Sequence, residues 1–103
     1  MARIGQPFTC GIWTVRDGGE DEFVARWTAL VSSAEAARGS ESFLLIQDRA
    51  DPHRFISFGA WEDWAAADTW RASEAFAGAM RACRELCEDF RPNDSTLRVA
   101  VGA

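Results

Sequence analysis

The sequence has no lysine, a single histidine and no long apolar run. All eleven cationic side chains are arginine, scattered from Arg3 to Arg98 without a basic stripe, and the formal net charge is -5. Binding to a phosphate backbone draws on clustered cations that release counterions, so no nucleic acid is expected as a partner. The absence of lysine beside abundant alanine and glycine fits a coding bias toward GC and carries no functional weight. A bilayer span needs about 20 consecutive apolar residues, and nothing here approaches that. Met1-Ala2-Arg3-Ile4-Gly5 leads into no signal-peptide h-region, so the expected location is cytoplasmic, with no membrane partner. There is no P-loop, no dinucleotide-binding glycine fingerprint and no G-x-S-x-G elbow.

Cysteines are few and odd in number, three in all, which without a secretion signal favours reduced thiols over a disulfide framework. Cys83 and Cys87 stand one helical turn apart on a stretch that also carries Phe76, Met80 and Phe90. That spacing reads as core packing, since zinc sites use tighter clusters that include histidine or further cysteines. No metal and no cofactor is expected.

What is present is one domain's worth of chain, residues 1–103, nearly half apolar and a quarter charged. Phe8 to Val15 is rich in β-branched and aromatic residues and is broken by Arg16-Asp17-Gly18-Gly19, a strand followed by a turn. Glu20, Asp21 and Glu22 then suit a first helical turn, and Phe23, Trp27, Leu30, Val31 and Ala34 recur at helical spacing. Ser42 to Arg49 and His53 to Glu62 read as strands joined through Ala50-Asp51-Pro52, and strands so close in sequence pair antiparallel.

Asp63 is placed to cap a helix carrying Trp64, Ala67 and Trp70. A second helical stretch is predicted to run on through Phe76, Met80, Cys83, Cys87 and Phe90, with a kink or break at Ala72-Ser73-Glu74. Arg91-Pro92-Asn93-Asp94 ends it, and Thr96 to Val101 is the predicted last strand. The order β-α-β-β-α-β predicts an α+β, ferredoxin-like domain with a four-stranded antiparallel sheet. The third strand is apolar on both faces, with Phe55 and Trp61 on one side and Ile56, Phe58 and Ala60 on the other. A sheet with helices on one side only should be polar on its outer face, so a second copy of the chain is expected to cover it as a homodimer.

The stretches V-R-D-G-G-E-D-E-F (Val15 to Phe23), F-L-L-I-Q-D-R-A-D-P-H-R-F (Phe43 to Phe55), G-A-W-E-D-W (Gly59 to Trp64) and W-R-A-S-E-A-F (Trp70 to Phe76), in this order, resemble the antibiotic biosynthesis monooxygenase superfamily of dimeric α/β barrels. The resemblance spans roughly Phe8 to Phe90. It implies a ligand cavity between sheet and helices near Trp61, and a cofactor-independent monooxygenase acting on a phenolic, polyketide-like aromatic. Many such relatives carry a glutamate two residues before that tryptophan and a histidine on the following helix. Gly59 and Trp70 stand there in this chain, which leaves open a non-catalytic binding or accessory protein on the same fold.

Strand alternation places Phe55, Ser57, Gly59 and Trp61 on one face, and two small residues between two aromatics would leave a hollow suited to a flat ligand. Filling that hollow at Gly59 is expected to disturb ligand handling more than folding. Trp70 is a further candidate wall, with Gln47 and Arg98 as polar groups reaching in from neighbouring strands. A fixed cation such as Arg98 could hold a phenolate. His53, in the turn Asp51-Pro52-His53-Arg54, reads as a solvated loop residue.

Overall fold

The computed structural model describes residues 2–102. Its elements run β1 (Pro7–Val15), α1 (Glu20–Glu35), β2 (Ser40–Gln47), β3 (Arg54–Trp61), α2 (Trp64–Arg71), α3 (Glu74–Arg84) and β4 (Cys87–Thr96). The four strands form one sheet in the order β2-β3-β1-β4, every neighbouring pair antiparallel. This is the α+β, ferredoxin-like arrangement, with the second helical region divided in two.

Local chemistry accounts for the helix boundaries. α1 starts after Gly19 with three acidic residues in its first turn, against the positive end of the helix dipole. The Asp63 side chain accepts from the Ala66 amide at 2.8 Å to start α2. The Ser73 hydroxyl accepts from the Phe76 amide at 3.1 Å to start α3, so the break expected at Ala72-Ser73-Glu74 is a new N-cap.

The last part of the chain departs from the sequence reading. The helix stops at Arg84, Cys87 and Phe90 lie on a strand, and that strand is Cys87–Thr96, not Thr96–Val101. Helical spacing lost to strand pairing because β1 needs a neighbour on its second side. In β4, Phe90 lies opposite Trp13, and their rings stack with centroids 3.9 Å apart. Since β4 is an edge strand, Pro92 sits in it without removing an interior ladder bond.

The core lies between the helices and one face of the sheet. Trp13, Val15, Phe55 and Trp61 from the strands meet Phe23, Trp27, Leu30, Ala67 and Trp70 from α1 and α2. Two glycines of this inner face stand where rings press on the backbone. A Cβ on Gly11 would lie 2.7 Å from the Phe90 ring, and one on Gly59 would lie 2.7 Å from the Phe43 ring. The opposite face carries Phe8, Ile12, Ile56 and Phe58, all half-buried, and Leu44 and Ile46, which are 62% and 51% exposed.

Candidate functional site

Sheet and helices do not close completely, and between them lies a cavity of about 290 Å³. Its floor is Thr9, Ser57 and Gly59 on β1 and β3; Phe43, Trp13 and Phe90 stand at its sides. Trp27, Leu30 and Val31 of α1 with Trp70, Phe76 and Met80 of α2 and α3 close it from above. Trp70 bridges floor and roof, its ring 4.7 Å from Phe76 and 5.3 Å from Trp61 between centroids.

Polar groups in this apolar shell are few. The indole N–H of Trp13 donates to Ser57 Oγ at 3.0 Å, and that of Trp61 donates to Thr9 Oγ1 at 3.1 Å. An indole is a donor only, so each hydroxyl oxygen accepts there and its own hydrogen must go elsewhere. Thr9 Oγ1 lies 3.5 Å from the Gly59 carbonyl oxygen, a long contact. Ser57 has no other hydrogen-bond partner among the described residues, so its O–H is free to donate into the cavity.

The charged groups of the lining are Arg71, the last residue of α2, and Asp94 on β4. Arg71 Nη1 and Nη2 donate to the two Asp94 carboxylate oxygens at 2.7 and 3.1 Å. Nη2 also donates to Asp68 at 2.9 Å. The hydrogen bond to Asp94 raises the Arg71 pKa above its already high ordinary value, which keeps the guanidinium charged.

Of the residues singled out from the sequence, Ser57, Gly59 and Trp70 line the cavity. Trp61 is fully buried behind the lining, packed against Phe43 and Trp70. Phe55 sits deeper in the core, 5.1 Å from the Phe23 ring between centroids. Gln47 and Arg98 are not brought there. Gln47 is exposed at the end of β2 and donates to the Pro52 carbonyl at 2.8 Å. Arg98 lies beyond β4, beside a hollow on the opposite face bordered by Phe8, Ile12 and Phe58. Gly59 is close-packed, so the expectation that it could be filled without harm to folding gives way to the contact with Phe43.

The sequence reading missed Arg71 and Asp94. The sequence reading placed Asp94 in the stretch that ends the second helix, although Phe90, Pro92 and Asp94 alternate as the inner face of a strand should.

At the other end of β1, beyond Val15, His53 Nε2 stands 3.3 Å from Asp17 and 3.6 Å from Glu20, and Nδ1 is 3.3 Å from Asp51. Asp17, Glu20 and His53 bring ligand atoms within 4.8 Å of one another, a grouping able to hold a metal ion, and none of the three lines the cavity. The Asp17 carboxylate hydrogen bond raises the His53 pKa, with further help from Asp51 and Glu20. The Cys83 thiol is buried, and burial pushes its pKa up to about 12, so it stays protonated.

The model of the family described as antibiotic biosynthesis monooxygenase matches residues 12–82. The chain belongs to that family. Among solved structures, it is similar to SnoaB from Streptomyces nogalater, described as a cofactor-independent oxygenase. The two are 18% identical over 96% of this chain and 99% of SnoaB, with a TM-score of 0.87. It is also similar to protein SO0527 from Shewanella oneidensis, at 19% identity over 94% and 95% of the chains and a TM-score of 0.80. Protein PA3566 from Pseudomonas aeruginosa is 25% identical over 93% and 96%, with a TM-score of 0.76. Against curated protein sequences the chain has no match. These structural likenesses carry the fold, and the family match agrees with the resemblance noted in the sequence.

Proposed function

We propose that this antibiotic biosynthesis monooxygenase family member is a cofactor-independent monooxygenase of an electron-rich phenolic aromatic and works as a homodimer. The observation that carries the reading is the cavity, a space of about 290 Å³ with aromatic walls and few polar groups. That volume falls just short of the roughly 300–1,000 Å³ of ligand pockets, a size for one small flat molecule. The description of SnoaB as a cofactor-independent oxygenase supports the same chemistry here.

In the proposed reaction the phenol supplies all the reducing power. It loses its hydroxyl hydrogen and one ring hydrogen and gains one oxygen atom, giving a quinone, while the second atom of O2 leaves as water with the two hydrogens. This chain's part is to hold the ring against the aromatic walls that Phe43 and the stacked Trp13 and Phe90 supply, to donate a hydrogen bond from Ser57, and to keep bulk water from the reacting carbon. The apolar outer face of the sheet, with Leu44 and Ile46 exposed, supports a second copy as its cover.

A second reading, a binding protein without turnover, draws on the lining itself, which includes no histidine and only the Arg71-paired carboxylate of Asp94. Oxygen uptake by the metal-free protein with a panel of hydroxylated polycyclic aromatics separates the two. Uptake that scales with protein and yields one quinone per O2 is expected, and ligand binding with no uptake across the panel would leave the second reading standing.

A further inference from the structure

His53 carries the only imidazole in the chain, and the fold surrounds it with carboxylates from two segments distant in sequence. Asp17 lies in the turn after β1, Glu20 is the first residue of α1, and Asp51 belongs to the β2–β3 hairpin with His53 itself. The backbone fixes the two segments to each other. The Val15 amide donates to the His53 carbonyl at 2.8 Å, and the Gly19 amide donates to the Arg16 carbonyl at 3.0 Å to close the turn that bears Asp17. Elsewhere the carboxylates of this surface find arginine: Glu22 and Glu85 pair with Arg26, Asp48 with Arg54, and Asp68 and Asp94 with Arg71. Among the described residues no arginine pairs with Asp17, Glu20 or Asp51, and all three face the imidazole. Three carboxylates around one ring leave at least two negative charges unbalanced even when the ring is protonated. The positive end of α1 offsets only about half a charge of that excess.

We propose that Asp17, Glu20 and His53 Nε2 together hold a divalent cation of the zinc class, with Asp51 positioning the imidazole from behind and water completing the coordination. Zinc bonds of about 2.0–2.2 Å to nitrogen and oxygen set the edges of a tetrahedron at about 3.3–3.5 Å. Nε2 stands 3.3 Å from the Asp17 oxygen and 3.6 Å from the Glu20 oxygen, so two edges are close to that length already. All three ligand atoms lie within 4.8 Å of one another, and the Asp17 side chain is 97% exposed, free to turn and close the third edge. Asp51 Oδ1 faces Nδ1 at 3.3 Å and accepts from the His53 amide at 3.2 Å, so its own turn holds it in place. A carboxylate there keeps the ring hydrogen on Nδ1 and leaves the Nε2 lone pair to the metal, the usual arrangement behind a ligating histidine.

The donor set restricts the ion. Oxygen ligands alone suit calcium or magnesium, whereas an imidazole nitrogen beside two carboxylates moves the preference to zinc and its first-row neighbours. None of the three ligands lines the cavity, so the site is separate from the aromatic pocket and does not rest on the reading of that pocket. Its effect is to clamp the β1–α1 turn onto the β2–β3 hairpin at the end of the sheet where Val15 and His53 meet.

The test uses the untagged full chain, stripped of metal by a chelator, with Zn2+ itself as the probe. Titration calorimetry at neutral pH should show saturable binding of one ion per chain with a Kd below about 0.1 mM. Because the chain has a single histidine, its ring nitrogen signals in an NMR spectrum report the site without ambiguity. Zn2+ should move the Nε2 signal strongly and leave Nδ1 bearing its hydrogen. Co2+ in its place should give the intense visible bands of four-coordination without the near-ultraviolet absorption of a thiolate ligand, which separates the site from Cys10, Cys83 and Cys87. Asp51→Asn should weaken Zn2+ binding about tenfold or more, and His53→Gln should abolish it, with far-ultraviolet circular dichroism unchanged in both. Should His53→Gln fail to fold, the ring signals of the wild type still decide. Ring signals unmoved by Zn2+ overturn the proposal, as does the absence of saturable binding. So does Ca2+ binding as tight as that of Zn2+ and unaltered in His53→Gln, which would reduce the cluster to an acidic surface.

Discussion

The indole N–H of Trp13 donates to Ser57 Oγ at 3.0 Å across the pairing of β1 with β3. Ser57 is the buried polar residue of the cavity floor, and in accepting this bond it satisfies the tryptophan and leaves its own hydrogen available to a ligand.

Removing the hydroxyl should therefore have two separable effects. Ser57→Ala leaves a buried N–H without an acceptor, which costs about 1–3 kcal/mol, read as a lower urea midpoint. It should also weaken an aromatic ligand that carries a carbonyl more than one that does not, measured by quenching of tryptophan fluorescence. Equal weakening of both would mean that Ser57 serves the fold alone.

Gly59 and Met80 both line the cavity but should respond differently to added bulk. A Cβ on Gly59 meets Phe43 at 2.7 and 2.8 Å and Thr9 Oγ1 at 2.8 Å. Gly59→Ala should thus lose about 1–3 kcal/mol through overpacking. Met80 is only half-buried on α3, so Met80→Trp should project into open space and lower ligand affinity about tenfold or more with a smaller change in midpoint. Ligand binding that survives Met80→Trp unchanged would place the ligand elsewhere.

The outer sheet face should hold two copies together. Sedimentation at micromolar concentration is expected to give twice the chain mass. Leu44→Glu combined with Ile46→Glu puts two charges on exposed apolar positions and should yield a folded monomer. A dimer that persists in this variant would move the interface to another surface.

His53 joins the β1–α1 turn to the β2–β3 hairpin through Asp17, Glu20 and Asp51. Its folded pKa is raised above the ordinary value near 6.5, chiefly by the Asp17 hydrogen bond. The stabilisation is then complete below the unfolded pKa and is lost as pH rises through the folded one. Urea midpoints on the two sides of this window should differ in the wild type and converge in His53→Gln. An equal pH dependence in both proteins would assign it to other groups.

The α+β order of elements, the inner and outer faces of β3, the hairpin and the broken second helical region were all legible in the chain, because each rests on a local period or a local turn. Phe55, Ser57, Gly59 and Trp61 share a face by alternation, whatever the rest of the protein does. Which of them would meet a ligand was not local information. Phe43 leans over Gly59 from β2 and fills what looked like a hollow, while Trp61 turns its indole to Thr9 and leaves the lining to others. The run from Cys83 to Asp94 shows the same limit. Its apolar residues suit a helix, and only the unpaired side of β1 makes Cys87 to Thr96 a strand. That long-range pairing carries Asp94 from a supposed helix end to the lining of the cavity, where Arg71 from α2 meets it. Composition and period therefore determined the layers of this protein, and the contacts between distant strands and helices decided where its charged groups converge.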